Sequence, residues 1–326
     1  MIGFLLRRAL WFAFTLWAVA TLAFFLMRAA PGGPFTAERS VPPSVELALR
    51  ARYHLDWPMW KQYLSYIGPL ELGSRGAFTG DGTQTFGGVL AGDFGPSFKY
   101  RDFSVNDVLA QSLPVSLGLG LTALFFAIVI GVSAGVLCAL YPRGKIDFGV
   151  RLLATAGVAI PNFVLASMLI LLFVFLLPLL PVAGWGTLQH SILPAAALGA
   201  PVAAYIARLV RAGLFDALAQ DYVRTAIAKG MPTHIVVLRH ALRAGILPVV
   251  SYLGPATAAI LTGSLVIEKI FFIPGTGQHF VNSALNRDYT LAMGVTILYT
   301  GLVFFLNTVV DVIYTLLDPR IPLEEA

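Results

Sequence analysis

Residues able to make or break bonds are few in this sequence and poorly placed for doing so. Five histidines, His54, His190, His234, His240 and His279, are scattered without metal-ligand spacing. Ser133, Ser167 and Ser264 sit in apolar runs with no histidine nearby in sequence to serve as a base, and no HExxH occurs. Hydroxyls in such runs bond to helix backbones or to neighbouring helices. The one cysteine, Cys138, cannot form an intramolecular disulfide. What remains is a dense cationic segment, QDYVRTAIAKGMPTHIVVLRHALRAGILPVV at 220–250. Its chemistry is recognition through charge and shape.

Residues 221–229 favour a helix with Tyr222, Ala226 and Ile227 apolar and Arg224 and Lys229 charged. Gly230 suits a left-handed helix C-cap, Pro232 discourages continuation, and Thr233 can cap a new helix. The second helix resumes at His234, with Ile235, Leu238 and Leu242 at three- and four-residue spacing, and runs through Arg239 and Arg243 towards Leu247 and Pro248. The product is a helix–corner–helix elbow. A first arm so short is marginal in water, because nucleation costs more than its few hydrogen bonds return. It must dock, and two docking surfaces stay open: anionic headgroups, or a protein groove that takes one short helix.

The elements carrying the elbow are built for lipid. The chain has 326 residues, 57% of them apolar and 12% charged, about half the charged fraction of ordinary globular domains. Six segments are long enough for a hydrocarbon core: 9–28, 113–140, 152–180, 191–210, 246–267 and 290–317. The first is too long for a signal peptide, and Met27 and Arg28 spoil a cleavage pattern at Ala29 and Ala30, so it is expected to be a retained anchor. Arg143, Lys145 and Arg151 crowd the 141–151 loop, and Arg211, Arg224, Lys229, Arg239 and Arg243 the 211–245 loop. Loop 181–190 has no lysine or arginine, and 270–289 has only Arg287. The positive-inside rule therefore places both termini and both basic loops in the cytoplasm. The net charge of +5 is a topology signal, and no nucleic-acid site is read from it.

Residues 29–112 then form an outer loop. It opens with PGGPF, continues into a helix that Ser44 can cap and whose first turn carries Glu46, and contains WPMWKQYLSYI. Trp60, Leu64 and Ile67 share a face of that last segment, which either lies at the headgroup level or packs on the outer ends of the spans. The Gly-rich 68–92 stretch reads as a flexible excursion. Ionisable residues avoid the span interiors: Glu268 and Lys269 sit at the outer end of the fifth, Asp311 near the inner end of the sixth, and Arg208 near that of the fourth. No proton relay or sodium cage is visible. Gly131 and Gly135 in GVSAG offer small-xxx-small packing, while Pro161, Pro178, Pro181, Pro248 and Pro255 permit bends. A helical bundle that packs and moves draws its energy from elsewhere, or is passive.

DYVRTAIAKG followed by RHALRAGILPVV resembles the cytoplasmic EAA loop of bacterial ABC-importer permeases. Arg224, Thr225 and Ala226 occupy its Glu-Ala-Ala triplet, and only the last alanine is retained, as in the peptide/nickel branch. MRAAPGGPFTAERSVPP, YHLD, GDFGPSFKYRDFSVNDV, GSLVIEKIFFIPGTGQHFVNSALNRDY and DVIYTLLDPRI are similar to the B-type permease of oligopeptide importers, from which the 73–88 insertion departs. The resemblance implies an all-α integral membrane protein of the type I ABC-importer permease fold, with six transmembrane helices. Its expected parts are an N-terminal span at 1–28, a periplasmic loop at 29–112, a permease core at 113–317 and a cytoplasmic tail at 318–326. It implies no bond chemistry in this chain. ATP and Mg would act in two partner ATPases, beside a second permease subunit, a periplasmic peptide-binding protein and membrane lipid. Asp221, Tyr222, Arg224, Thr225, Ala226, Lys229 and Gly230 would couple to the ATPase, with Gly230 making the corner and Ala226 keeping the docking face slim. IEKIFFIPGTG, with Glu268, Pro274 and Gly277, is either an external gate or docking surface or a plain inter-span loop. Dipeptides, glutathione or nickel are alternative cargoes in this branch. A passive channel or secondary transporter is the alternative of another class.

Overall fold

The computed structural model describes residues 2–29, 43–68, 88–100 and 103–317, and every regular element among them is helical. In chain order these are α1 (Ile2–Ala29), α2 (Pro43–Arg52), α3 (Met59–Ile67), α4 (Val105–Leu140), α5 (Lys145–Ala159), α6 (Asn162–Ile170), α7 (Leu188–Leu218), α8 (Asp221–Ala228), α9 (Thr233–Ile235), α10 (Leu242–Gly245), α11 (Leu247–Ile270), α12 (Thr276–Asn286) and α13 (Tyr289–Leu317). Single π-helical stretches follow α6 at Leu171–Leu176 and α9 at Val236–Ala241, and one 3-10 turn lies before α4 at Val89–Ala91. The PGGPF exit, nearly all of the 73–88 insertion and the 318–326 tail lie outside the described residues.

Among the described residues four helices are long and apolar enough to cross a membrane: Leu6–Ala29, Val105–Leu140, Leu188–Leu218 and Tyr289–Val312. The number rises to six if each of two bent pairs is one span. One pair is α5 with α6 and its π-helical extension, which meet at 112° where a continuous span over 152–180 was expected. Pro161 explains the break. It has no N–H to give the helix, its ring excludes helical geometry from the preceding residue, and Ile160 is accordingly extended at φ −83°, ψ 123°.

Two compact units are present: Met1–Val115 with Gly275–Phe304, and Ser116–Pro274 with Phe305–Ala326. In the first, Ala20 and Phe24 of α1, Tyr66 of α3, and Met293 and Ile297 of α13 share one apolar core. The α3 helix packs on the Arg28 end of α1, the second of the two placements expected for it. Tyr63 and Thr21 share a hydroxyl hydrogen bond of 2.7 Å, Arg28 Nε donates to Gln62 Oε1 at 2.8 Å, and the guanidinium lies 4.0 Å from the Phe24 ring centroid. Trp60 stays exposed.

Asp288 staples this unit. Its buried carboxylate accepts from Ser97 Oγ (2.5 Å), Phe98 N (3.2 Å) and Thr290 Oγ1 (3.1 Å), and caps α13 through Leu291 N (3.3 Å). Asp288→Ala removes a helix cap and an acceptor of the Phe98 amide. We expect about 2–4 kcal/mol of destabilisation, read as a lower unfolding temperature and faster amide exchange at residues 94–98.

In the second unit α7 is the central helix, its buried face including Leu193, Leu198, Ile206, Val210 and Leu214. Gly131 and Gly135 let α4 lie directly against it. A Cβ on Gly131 would stand 2.7 Å from Ala203 O, and one on Gly135 would stand 2.5 Å from Val210 Cβ. The small-residue spacing read from GVSAG is therefore a helix–helix contact.

Candidate functional site

The elbow forms at the end of α7. After Ala219 and Gln220 the chain turns into α8, whose Val223 and Ala226 are buried against Val236, with Leu218 and Met231 packed at the edge. Full burial of the two valines stabilises the elbow by about 1.5–3 kcal/mol each, which offsets the poor intrinsic stability of an eight-residue helix.

The corner is a Schellman turn. Gly230 takes φ +80°, its N–H donates to Ile227 O at 2.9 Å, and Met231 N donates to Ala226 O at 3.3 Å. Met231 and Ala226 belong to the same apolar cluster, the hydrophobic contact that goes with this turn. Gly230 thus occupies the left-handed position expected of it. Thr233 does not cap the second arm. Pro232, extended at ψ 142°, is the N-cap residue, and Thr233 is the first helical residue.

The second arm also differs in phase. Ile235, Leu238 and Leu242 were expected to form its apolar face, but the buried residues are Val236, Val237 and Ala241, with Leu238 54% exposed. Burial begins at Val236, where the π-helical turn starts, and the i→i+5 spacing of that turn brings Ala241 onto the same side. The arm then closes on α7, where α10 and α7 cross backbone to backbone: a Cβ on Gly213 would lie 2.3 Å from Gly245 O. The elbow is consequently a closed loop of packed helices.

Among the seven elbow residues singled out in the sequence, Asp221, Tyr222, Arg224, Thr225, Lys229 and Gly230 are exposed. Ala226 is buried inside the elbow, so it holds α8 down and does not line an outer face. Arg224 reaches Asp221 at 3.5 Å, an open ion pair of little energetic weight, and Thr225 Oγ1 donates to Asp221 O at 3.0 Å. Ile227, 55% exposed on the same short helix as Tyr222, adds apolar surface; the sequence marks it as apolar but not as a coupling residue. Its signal was available: an isoleucine in α8 beyond the Val223/Ala226 face has nothing within the elbow to cover it.

A second cluster went unread. Asp147, in the first turn of α5, accepts from Arg211 of α7 in fork geometry, Nε to Oδ1 at 2.7 Å and Nη2 to Oδ2 at 3.2 Å. Arg143 N donates to Oδ2 at 3.3 Å, and Arg151 Nε stands 3.5 Å from the same oxygen. The Asp147 side chain is 1% exposed and that of Arg211 29%. One cation counted as a topology signal in each of two loops, Arg151 and Arg211, is here drawn onto one carboxylate.

At the far end of α11, Glu268 is buried and its backbone carbonyl accepts from Ile273 N at 2.9 Å, closing another Schellman turn. The left-handed position of that turn is held by Phe272 at φ +51°, a strained setting for a non-glycine residue that leaves its ring 66% exposed. Pro274 follows, exposed, in the same unit. Gly277 is buried in the first turn of α12, in the other unit.

Among the described residues no group of three or more histidine, cysteine or acidic side chains is placed to hold a metal ion. Bent helices long and apolar enough to cross a membrane, together with a packed amphipathic elbow, define an integral-membrane protein. The chain belongs to the family of binding-protein-dependent transport system inner membrane components, whose model matches residues 108–322, with the N-terminal component of that family matching 1–120.

It is similar to the oligopeptide transport system permease protein OppB of Escherichia coli, 47% identical over 323 residues, or 98% of this chain and 99% of that protein. OppB of Haemophilus influenzae is 44% identical over the same shares. The dipeptide transport system permease protein DppB of Bacillus subtilis is 42% identical over 100% of this chain and 99% of its own. Among solved structures, the inward-facing MetNI methionine ABC transporter shares the fold, with a TM-score of 0.53 at 21% identity over 64% of this chain and 96% of that one.

Proposed function

We propose that the chain is the transmembrane permease subunit of an ATP-binding-cassette importer that takes up oligopeptides, forming half of the translocation pathway. The observation that carries this reading is similarity to oligopeptide permeases along nearly the whole chain, 47% in the E. coli case, the elbow included. In this reading 29–112 is periplasmic, 113–317 is the permease core and 318–326 is a cytoplasmic tail. Two ATPase subunits bind ATP and Mg, a second permease completes the pathway, and a periplasmic binding protein delivers the peptide.

The elbow receives the ATPase movement through Asp221, Tyr222, Arg224, Thr225, Lys229 and Gly230, with Ile227 added and Ala226 acting from within. One short helix presenting a tyrosine and an isoleucine among charges suits a protein groove, since each arm is already packed on its neighbour and the exposed apolar pair is what remains to be covered. Glu268, Pro274 and Gly277 are proposed as parts of the outer gate or docking surface.

Reconstitution with the partner subunits tests this: peptide should stimulate ATP hydrolysis and drive its own uptake. Ala226→Arg forces a charge into the Val223/Val236 contact, and Gly230→Pro fixes φ near −65° where +80° is needed and deletes the N–H to Ile227 O. Each should reduce uptake at least about tenfold, the effect of roughly 1.4 kcal/mol in a transmitted equilibrium. Gly230→Asn, which tolerates the left-handed region and enters open space, should stay within about threefold of the parent. Normal uptake by Gly230→Pro would remove the elbow from the mechanism.

Similarity to dipeptide permeases supports a second reading of the cargo. Uptake of a labelled dipeptide and of a labelled pentapeptide, measured separately, distinguishes the two. Uptake of the dipeptide alone would place the cargo in the shorter class.

A further inference from the structure

We propose that the Asp147 carboxylate is a positioning group for coupling, clasping the elbow-bearing end of α7 to the turn between α4 and α5 so that these helices move with the elbow. The inference rests on the permease reading above and concerns a pair of residues that lie outside the elbow.

Contacts on this side of α7 are of two kinds. Along α4, small residues give close van der Waals approach, which fixes the separation of two helices but resists sliding only weakly. The Arg211 fork on Asp147 is directional: two parallel N–H···O bonds fix distance, axial position and rotation together. Arg143 N ties the α4–α5 turn to the same oxygen as Arg211 Nη2. Three chain segments, the turn, α5 and α7, therefore meet on a single side chain that solvent does not reach.

Placement decides what the clasp transmits. Arg211 stands two turns before the end of α7, beyond which lie Ala219, Gln220 and α8. Its guanidinium lies 4.7 Å from the ring centroid of Phe215, one turn closer to the elbow, which limits its rotamers. Gly213, between these two residues, is where α10 crosses α7. A push on α8 thus reaches Arg211 along a short, packed path, and Asp147 passes it to α5 and the α4–α5 turn. A buried ion pair adds little to stability relative to a well-packed apolar pair. Its contribution here is fixed geometry.

The test uses the complete reconstituted complex and reads peptide taken up per ATP hydrolysed. Asp147→Asn alone leaves Arg211 without its charge partner and can fail to fold. The informative variant is Asp147→Asn with Arg211→Gln, which removes both charges and keeps polar side chains of similar volume. It should assemble and hydrolyse ATP, with uptake per ATP reduced about fivefold or more, the low end of ordinary coupling between sites. Arg211→Lys, which keeps the charge and loses the fork, should fall between this variant and the parent. Unchanged uptake per ATP in the double variant, with any loss traced to a smaller amount of complex, overturns the proposal.

A second readout is independent of transport and so separates this proposal from the functional reading. Gly230→Pro, made at the elbow, should raise amide exchange at 141–147 in the parent background and not in the Asp147→Asn/Arg211→Gln background. An equal rise in both backgrounds overturns the clasp. Absence of peptide uptake by the parent complex counts against the permease reading alone.

Discussion

Gly213→Ala is expected to prevent the elbow from closing on α7 and to remove most of the folded protein from the membrane. The added methyl would stand 2.3 Å from Gly245 O and 3.1 Å from Gly245 Cα, both backbone atoms. A side chain in that position could rotate away, but a helix backbone moves only if α10 lifts off α7 as a unit. Overpacking of a tight interior costs about 1–3 kcal/mol where neighbours can shift, and more where they cannot. Lifting α10 also breaks the Leu214 contact on Gly245 and disturbs the Val236 cluster under α8. The measurement is the yield and unfolding temperature of detergent-extracted protein, with Gly149→Ala as the control. A Cβ on Gly149 meets nothing within 4 Å, and this glycine lies within a helix, so its replacement should stabilise by about 0.5–1 kcal/mol. The same chemical change thus has opposite signs at the two positions. Parent-like yield and unfolding temperature for Gly213→Ala would mean that α7 and α10 do not cross here.

How far such features could be read in advance depended on their range. The corner at Gly230 was legible because Gly-Met-Pro carries its conformation locally: glycine for positive φ, proline against helix continuation. The arm beyond it was not, because the expectation of a face at Ile235, Leu238 and Leu242 assumed 3.6 residues per turn. Burial falls instead on Val236, Val237 and Ala241, with Val236 and Ala241 one π-helical turn apart. Pro161 announced a bend, but the 112° angle follows from packing that no local residue encodes. The Asp147–Arg211 pair was the least legible. Its members are 64 residues apart, and each has a sufficient local explanation, the arginine as a topology charge and the aspartate as a favourable group in a first helical turn. Phe272 was hidden for a different reason, since sequence preference points to glycine wherever φ is positive.

Gly135→Ala carries the second large effect, and it connects packing to the clasp. Inside a bilayer, helices gain nothing from hydrophobic segregation against one another, so close approach of small residues supplies much of their attraction. A Cβ on Gly135 would stand 2.5 Å from Val210 Cβ and 2.9 Å from Ala207 O, which forces α4 and α7 apart. We expect about 1–3 kcal/mol of destabilisation, with Gly135→Leu failing to fold. Removing the opposing side chain with Val210→Gly should recover part of the loss, because the Ala207 carbonyl remains. The double-mutant cycle should show coupling of about 0.5–3 kcal/mol, as for residues in direct contact. Val210 is the neighbour of Arg211, whose fork on Asp147 tolerates little displacement. Uptake per ATP should therefore fall in Gly135→Ala protein that has folded, whereas a substitution affecting stability alone would lower only the amount of complex. Loss of yield with unchanged uptake per ATP would confine the small-residue contact to assembly. A fall in both would join the α4–α7 seam to the path by which the elbow's movement reaches the spans.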